Sequence, residues 1–332
     1  MNRREFARYV ARAGVALTFL AASRREARDG RSGGEAFYDG YLSIYFDGGP
    51  SQTDTWDVKP GSSSSYPNFP TIDLGVTDEY GESFRIAGLF RRLAGLCMND
   101  PAIKLGVIRS LYHAGDDHVS AQDRMRGCLH DGFSEAMARV EVSHCAVDSR
   151  LTVAQKLLVA GAPFVAIDMP GNDSHSHNLG SVACPGVVPT IWGNYINEGL
   201  SQLAESIRAS GRRVLVTMYG DFGRTPRSVS NGDRDGRDHW NDGFSIALLS
   251  INQPRFKMTA LGHTGPDGVL TSTTGMRDPV EPRDVGTFVS RSLGFQVGRV
   301  DGKFDVPLTS RPAPPVDRIN KADLLNTTFG LV

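Results

Sequence analysis

YLSIYFDGGP (Tyr41–Pro50) decides the reading of this chain. An aromatic-rich apolar run reaches Phe46 and stops at Asp47-Gly48-Gly49-Pro50. Such a run, bounded by turn residues, predicts a buried strand with an acid at its carboxyl end. The form recurs at Phe164–Met169 (FVAIDM), which ends in Pro170-Gly171, and at Arg213–Tyr219 (RVLVTMY), which ends in Gly220-Asp221. Lys104–Ile108 and Phe244–Ile251 supply two more strands. Helical spacing of apolar residues predicts helices over Ile86–Cys97, Val119–Leu129, Leu151–Ala160 and Tyr195–Ser210, with Gly211 as a C-cap. Asp284–Leu293 is predicted as the last helix, and the serine- and proline-rich Gly61–Tyr80 as a surface loop. Strands alternating with helices predict an α/β fold, with a mostly parallel central sheet covered by helices on both faces.

The remaining bounds come from composition. Of 332 residues, 40% are hydrophobic and 22% charged, ordinary values for a globular chain that buries its own core. The net charge of -1 gives no global field for nucleic acid or an acidic membrane. Paired arginines, Arg3-Arg4, followed by the apolar stretch Ala13–Ala22, resemble a twin-arginine export leader. A basic amphipathic first helix is the alternative. The apolar stretch falls short of the roughly 20 residues that span a bilayer, so no transmembrane segment is expected. Residues 1–35 therefore read as leader and linker, residues 36–332 as one domain, and the protein as exported, periplasmic or extracellular. Cys97, Cys128, Cys145 and Cys184 form no C-x-x-C pair, which argues against a zinc ribbon or a thioredoxin-type site.

In sheets of this kind ligands sit at the carboxyl ends of the strands. The chain sends its unusual polar residues there. Asp47 follows the first strand. Asp173, His175 and His177, in GNDSHSHN, follow FVAIDM, and their alternation puts all three on one face of an extended loop. Asp221 follows RVLVTMY, Asp238-His239 precede FSIALLSI, and His113 and His118 follow the Lys104 strand. Asp and His are ligands for Zn²⁺, and carboxylates also suit Mg²⁺, Ca²⁺ or Mn²⁺. Taken singly, each segment also reads as a solvated polar turn. Arg224, in GDFGRTP, offers a guanidinium fork for a phosphate or sulfate, or a structural ion pair. There is no Walker A motif, Rossmann fingerprint, G-x-S-x-G elbow or kinase lysine and H-R-D loop to go with the D-F-G triplet.

Five stretches together resemble the exported family catalogued as domain of unknown function 1501, placed in the alkaline-phosphatase and sulfatase superfamily. They are GGPSQTDTWDVKP (Gly48–Pro60), VIRSLYHAGDDH (Val107–His118), GNDSHSHN, YGDFGRTP (Tyr219–Pro226) and GRDHW (Gly236–Trp240). The tail EPRDVGTFVSRSLG (Glu281–Gly294) resembles the family's last helix. The resemblance implies an alkaline-phosphatase-like fold with metal ions at the rim. Asp47, Asp173 with His175 or His177, Asp221 and His239 would hold them. It departs at Phe222, where the superfamily carries an imidazole beside the second acid. It departs again at Tyr112-His113-Ala114-Gly115, where its nucleophile loop would lie. Ser51 and Ser110 are the remaining candidate nucleophiles.

The function expected from this reading is metal-dependent hydrolysis of phosphate or sulfate esters, small or polysaccharide. His113 or His118 would donate the proton to the leaving group, and Arg224 would hold the anion. The alternative is a non-catalytic binding or surface-assembly protein on a degenerate hydrolase fold.

Overall fold

The computed structural model describes residues 36–50, 55–58, 71–78, 81–112, 117–129, 139–142, 147–170, 196–224, 229–231, 234–236, 239–240, 242–262, 264, 280–294 and 317–332. The strands are β1 (Gly40–Phe46), β2 (Thr71–Thr77), β3 (Ser83–Ala87), β4 (Ile103–Tyr112), β5 (Arg139–Glu141), β6 (Phe164–Met169) and β7 (Val214–Gly220). They continue with β8 (Gly223–Arg224), β9 (Val229–Asn231), β10 (Arg234–Gly236), β11 (His239–Trp240), β12 (Asp242–Ile251) and β13 (Thr259–Leu261). The helices are α1 (Arg91–Asn99), α2 (His118–Leu129), α3 (Val147–Val159), α4 (Glu198–Ser210), α5 (Pro282–Ser292) and α6 (Asp317–Thr328).

Seven strands form the central sheet in the order β13-β4-β12-β7-β1-β6-β5. β7, β1, β6 and β5 pair parallel, and β13 pairs parallel with β4. Only β12 runs against its neighbours. The reason is local: no helix among the described residues separates β7 from β12, so the chain returns without the crossover that a parallel pair requires. β1 lies inside the sheet between β7 and β6, every residue buried, and its alternation feeds both faces. Leu42, Ile44 and Phe46 join the core that α1, α3 and α4 cover. Tyr41 and Tyr45 join the core under α2, α5 and α6. The expected α/β architecture, with helices on both faces, is the one observed.

Three sequence expectations are corrected. Part of the stretch read as a loop is β2, which pairs with β3 as an antiparallel hairpin. Ile86 belongs to β3, and the helix after it starts only at Arg91, following a single 3-10 turn. A further helix, α6, follows α5; Phe329 beyond it stacks on Phe256 at 5.2 Å. No helix among the described residues is long and apolar enough to cross a membrane. Cys97 and Cys128 are free thiols, and burial pushes each up to about 12, so both stay protonated.

Candidate active site at the carboxyl rim of the sheet

β1, β6 and β7 end side by side, with Phe46 opposite Met169 and Gly220. Asp47 N–H donates to the Met169 carbonyl at 3.0 Å, which fixes where the chain leaves the sheet. The two loops beyond β1 and β7 pack with no room for side chains. Gly49 has φ +68°, and a Cβ there would lie 2.5 Å from the Phe222 carbonyl oxygen. A Cβ on Gly220 would lie 2.5 Å from the Gly49 Cα. The glycines in the DGGP and YGDFG segments are therefore requirements of loop packing.

Asp221, fully buried, is the hub. Its Oδ1 accepts the Tyr45 hydroxyl and, at 3.1 Å, the Gly48 N–H. Its Oδ2 lies 2.5 Å from His118 Nδ1. Burial, followed by the charge and hydrogen bond of Asp221, raises the Tyr45 phenol well above its ordinary range and keeps it a donor. His118 is the first residue of α2 and is half-exposed, its ring 4.9 Å from that of Phe222. Two turns on, Arg126 of the same helix lies 2.5 Å from Asp168 Oδ2 and 4.9 Å over the Tyr45 ring. Asp168 Oδ1 is buried without a hydrogen-bond partner.

Asp47 is the exposed member. Burial and the charges of Asp221 and Asp168 raise its carboxyl above the ordinary range, against the pull of His118 and Arg126. Among the described residues, the rim brings together three acids, Asp47, Asp168 and Asp221, with the Arg126 guanidinium and the His118 imidazole beside them and Arg150 and Arg224 bound to the adjoining backbone.

The sequence candidates distribute unevenly over this geometry. Asp47, Asp221 and His118 come together. Arg224 is fully buried, donates to the carbonyls of Gly48 and Gly49, the latter at 3.1 Å, and lies 5.3 Å over the Phe222 ring. β11 pairs with β8, which sets the His239 backbone opposite Arg224. Ser51, His113, Asp173, His175, His177 and Asp238 lie outside the described residues, as does the side chain of His239. The later part of the GGPSQTDTWDVKP stretch is a buried ion-pair cluster toward the end of β4. Asp57 is buried 3.0 Å from Arg109, which also binds Asp78 at 2.8 Å, and Trp56 stacks on Phe90 at 4.1 Å.

Tyr45, Asp168 and Arg126 were missed in the sequence. The available signal was a lone acid inside the otherwise apolar FVAIDM and a second tyrosine in YLSIYF. The departure at Phe222 has its counterpart here: the imidazole beside Asp221 is supplied by His118, 103 positions earlier.

A divalent cation can be tested against this donor set. Asp47 and Asp168 offer hard oxygens, and the orphaned Asp168 Oδ1 and the raised Asp47 both call for positive charge. Asp221 is saturated by protein donors. Among the described residues, no group of three or more His, Cys, Asp or Glu is arranged to hold an ion. The described part of the rim fits a cation in charge and donor type but supplies only part of a coordination shell.

The family described as protein of unknown function (DUF1501) matches residues 131–249. That span contains GNDSHSHN, YGDFGRTP and GRDHW, so the family resemblance read in those motifs holds there. No curated protein matches the chain. Among solved structures, the C-terminal periplasmic domain of EcEptC from Escherichia coli is 8% identical, with 83% of this chain and 88% of that chain covered at TM-score 0.45. Its zinc complex is also 8% identical, with 78% and 84% covered at TM-score 0.41. The Streptococcus pyogenes phosphoglycerol transferase GacH, in complex with sn-glycerol-1-phosphate, is 8% identical, with 94% and 91% covered at TM-score 0.39.

Proposed function

With a DUF1501 segment at residues 131–249 as the premise, we propose that the protein is an exported, metal-dependent hydrolase of phosphate or sulfate esters acting at the carboxyl rim of its sheet. The observation that carries this reading is the meeting of Asp47, Asp168, Asp221 and His118 at three adjacent strand ends, with Asp47 held above its ordinary range by like charge. A carboxyl raised by neighbouring acids, in a cluster with an imidazole at strand ends, is a recognised mark of a functional site.

His118 is the proton donor to the leaving oxygen. One ring nitrogen is held by Asp221, and the ring is half-exposed at the rim where an ester would lie. Tyr45 and the Gly48 N–H hold Asp221 in place, and Arg126 holds Asp168. Arg224 is assigned to the backbone of the Gly48-Gly49 turn rather than to the anion, since its guanidinium is buried against carbonyls. Asp47 and Asp168, joined by Asp173, His175, His177, Asp238 or His239, would hold the cation. A bound divalent ion would neutralise ester oxygens and lower the pKa of a bound water.

The test is release of 4-nitrophenol from its phosphate and sulfate esters by the full chain, supplied in turn with Zn²⁺, Mg²⁺, Ca²⁺ and Mn²⁺. Metal-dependent release is expected with at least one ion and is lost on chelation. No release with any of the four, from protein that binds no metal, would contradict the proposal.

One observation favours a second reading. Three protein groups, the Tyr45 hydroxyl, the Gly48 N–H and the His118 ring, hold the buried Asp221 carboxylate, as in a structural network. A binding or surface-assembly protein on the same fold would keep that network and lack turnover. It would retain its ligand when His118 is changed to Asn.

A further inference from the structure

At the opposite end of the sheet, the start of β4, the start of β13 and the segment 252–258 enclose a groove of about 950 Å³. Its lining includes Lys104, Arg255 and Lys257, with Val76, Phe256 and Met258 between them. No acid lines it.

Most arginines around the described fold are neutralised. Arg85, Arg92, Arg109, Arg126, Arg208, Arg213 and Arg291 each have a carboxylate partner. Among the described residues, the groove's three cations have no carboxylate partner. Lys104 gives one proton to the Pro254 carbonyl at 2.8 Å, and partial burial lowers its pKa. Arg255 lies 5.9 Å over the Phe37 ring. Neither contact supplies negative charge.

The segment carrying these cations is built, not draped. Asn252 takes φ +60°, and its Nδ2 donates to the carbonyls of Ile207, Arg208 and Arg212 at 2.9–3.2 Å, tying the segment to the end of α4. Gln253 Nε2 donates to the Phe37 carbonyl at 2.7 Å, and its Oε1 accepts the Arg255 N–H at 3.2 Å. Lys257 N–H donates to the Phe329 carbonyl at 3.0 Å. Phe256 is pinned by stacking on Phe329, over Gly106, where a Cβ would meet the two rings at 2.6 and 2.9 Å. Holding like charges together in a rigid frame costs free energy through repulsion, and an anionic ligand recovers it.

We infer that this groove binds an acidic polysaccharide bearing sulfate or phosphate groups. Three cations spread over a groove of this size exceed the needs of one oxyanion and suit several along a chain. Nucleic acid is disfavoured because the one aromatic in the lining, Phe256, is fully buried and offers no face for a base. Along β4 the groove at Lys104 lies about 26 Å from the carboxyl end at Tyr112, so it is separate from the candidate active site. It does not rest on the chemistry proposed there.

The experiment measures heparin binding by the full chain at low ionic strength. Saturable binding that weakens with added salt is expected. The triple variant Lys104→Gln, Arg255→Gln, Lys257→Gln should bind at least tenfold more weakly, while Arg85→Gln, outside the groove, should bind as the parent does. Should the triple variant fail to fold, Lys257→Glu alone, an exposed substitution, should weaken binding at least threefold. His118→Asn should leave heparin binding unchanged, and the triple variant should leave aryl ester hydrolysis unchanged. Undiminished binding by the variants, tighter binding of single-stranded DNA than of heparin, or equal affinity for inorganic sulfate would overturn the inference.

Discussion

The buried strand β1 is bracketed by two aspartates that meet opposite fates. At its amino end, Asp39 lies 2.9 Å from the Arg213 guanidinium. Burial there pushes its carboxyl up, but the hydrogen bonds and charge of Arg213, with the charge of Arg212, hold it below the ordinary range. At the carboxyl end, Asp47 is pushed up by burial, Asp221 and Asp168. At the first end Asp39 is paired with Arg213 and also faces the charge of Arg212. The second gathers three acids, and the raised Asp47 stands within one strand length of a lowered example. The chain had arginines available for pairing, and the difference supports the proposal that the carboxyl end takes an added ligand.

The largest effect that sharpens this contrast is on activity. His118→Asn keeps a donor for Asp221 but removes the ring nitrogen that serves the leaving group. It should lower kcat on aryl esters by about 10²–10⁴ with little change in the urea midpoint, read by denaturation and steady-state kinetics on the same preparation. A large stability loss with unchanged turnover would make the carboxyl end a structural network.

Next comes the amino end. Arg212 donates to the carbonyls of Leu158, Ala162 and Asp39, the last at 2.9 Å. Arg212→Ala should cost about 2 kcal/mol in urea unfolding and leave turnover untouched. A loss of activity at full stability would join the two ends functionally and break the distinction.

The pH dependence of stability should differ in sign between the ends. A lowered carboxyl stabilises above its unfolded value near 4 and loses that contribution as pH falls through its folded value. Asp39 should therefore contribute a few tenths of a kcal/mol at neutral pH, given its exposure, and lose it on acidification. The raised Asp47 does the reverse: its penalty is present at neutral pH and is relieved as pH falls through its folded value. Arg213→Gln should remove the first dependence and leave the second, measured as denaturation midpoints between neutral and acid pH.

The legibility of the sequence follows the same division. The strands at Tyr41, Phe164, Val214 and Phe244 were readable because each is a continuous apolar run stopped by a turn residue or a loop. β2 was not, since Thr71–Thr77 alternates polar and apolar residues beside a serine-rich stretch and owes its order to pairing with β3. Asp47 and Asp221 were readable from their place after strands. The joining of His118 to Asp221 was not, because it depends on how α2 lies across the sheet, a tertiary fact with no local spacing. Arg224 was only partly legible for a similar reason. Its sequence shows a cation beside glycines, and the fold adds that its guanidinium donates to the Gly48 and Gly49 carbonyls.

The smallest effect gives the most direct test of the central claim. Asp47→Asn removes one of three like charges at the rim while keeping the side chain's shape. The parent and the variant are compared for thermal midpoint without added metal and for metal-dependent aryl ester hydrolysis. The account predicts a variant stabilised by a few tenths of a kcal/mol whose hydrolysis is lost. A variant that is destabilised yet hydrolyses as the parent does would show that Asp47 is a structural acid and that the carboxyl rim is not the site.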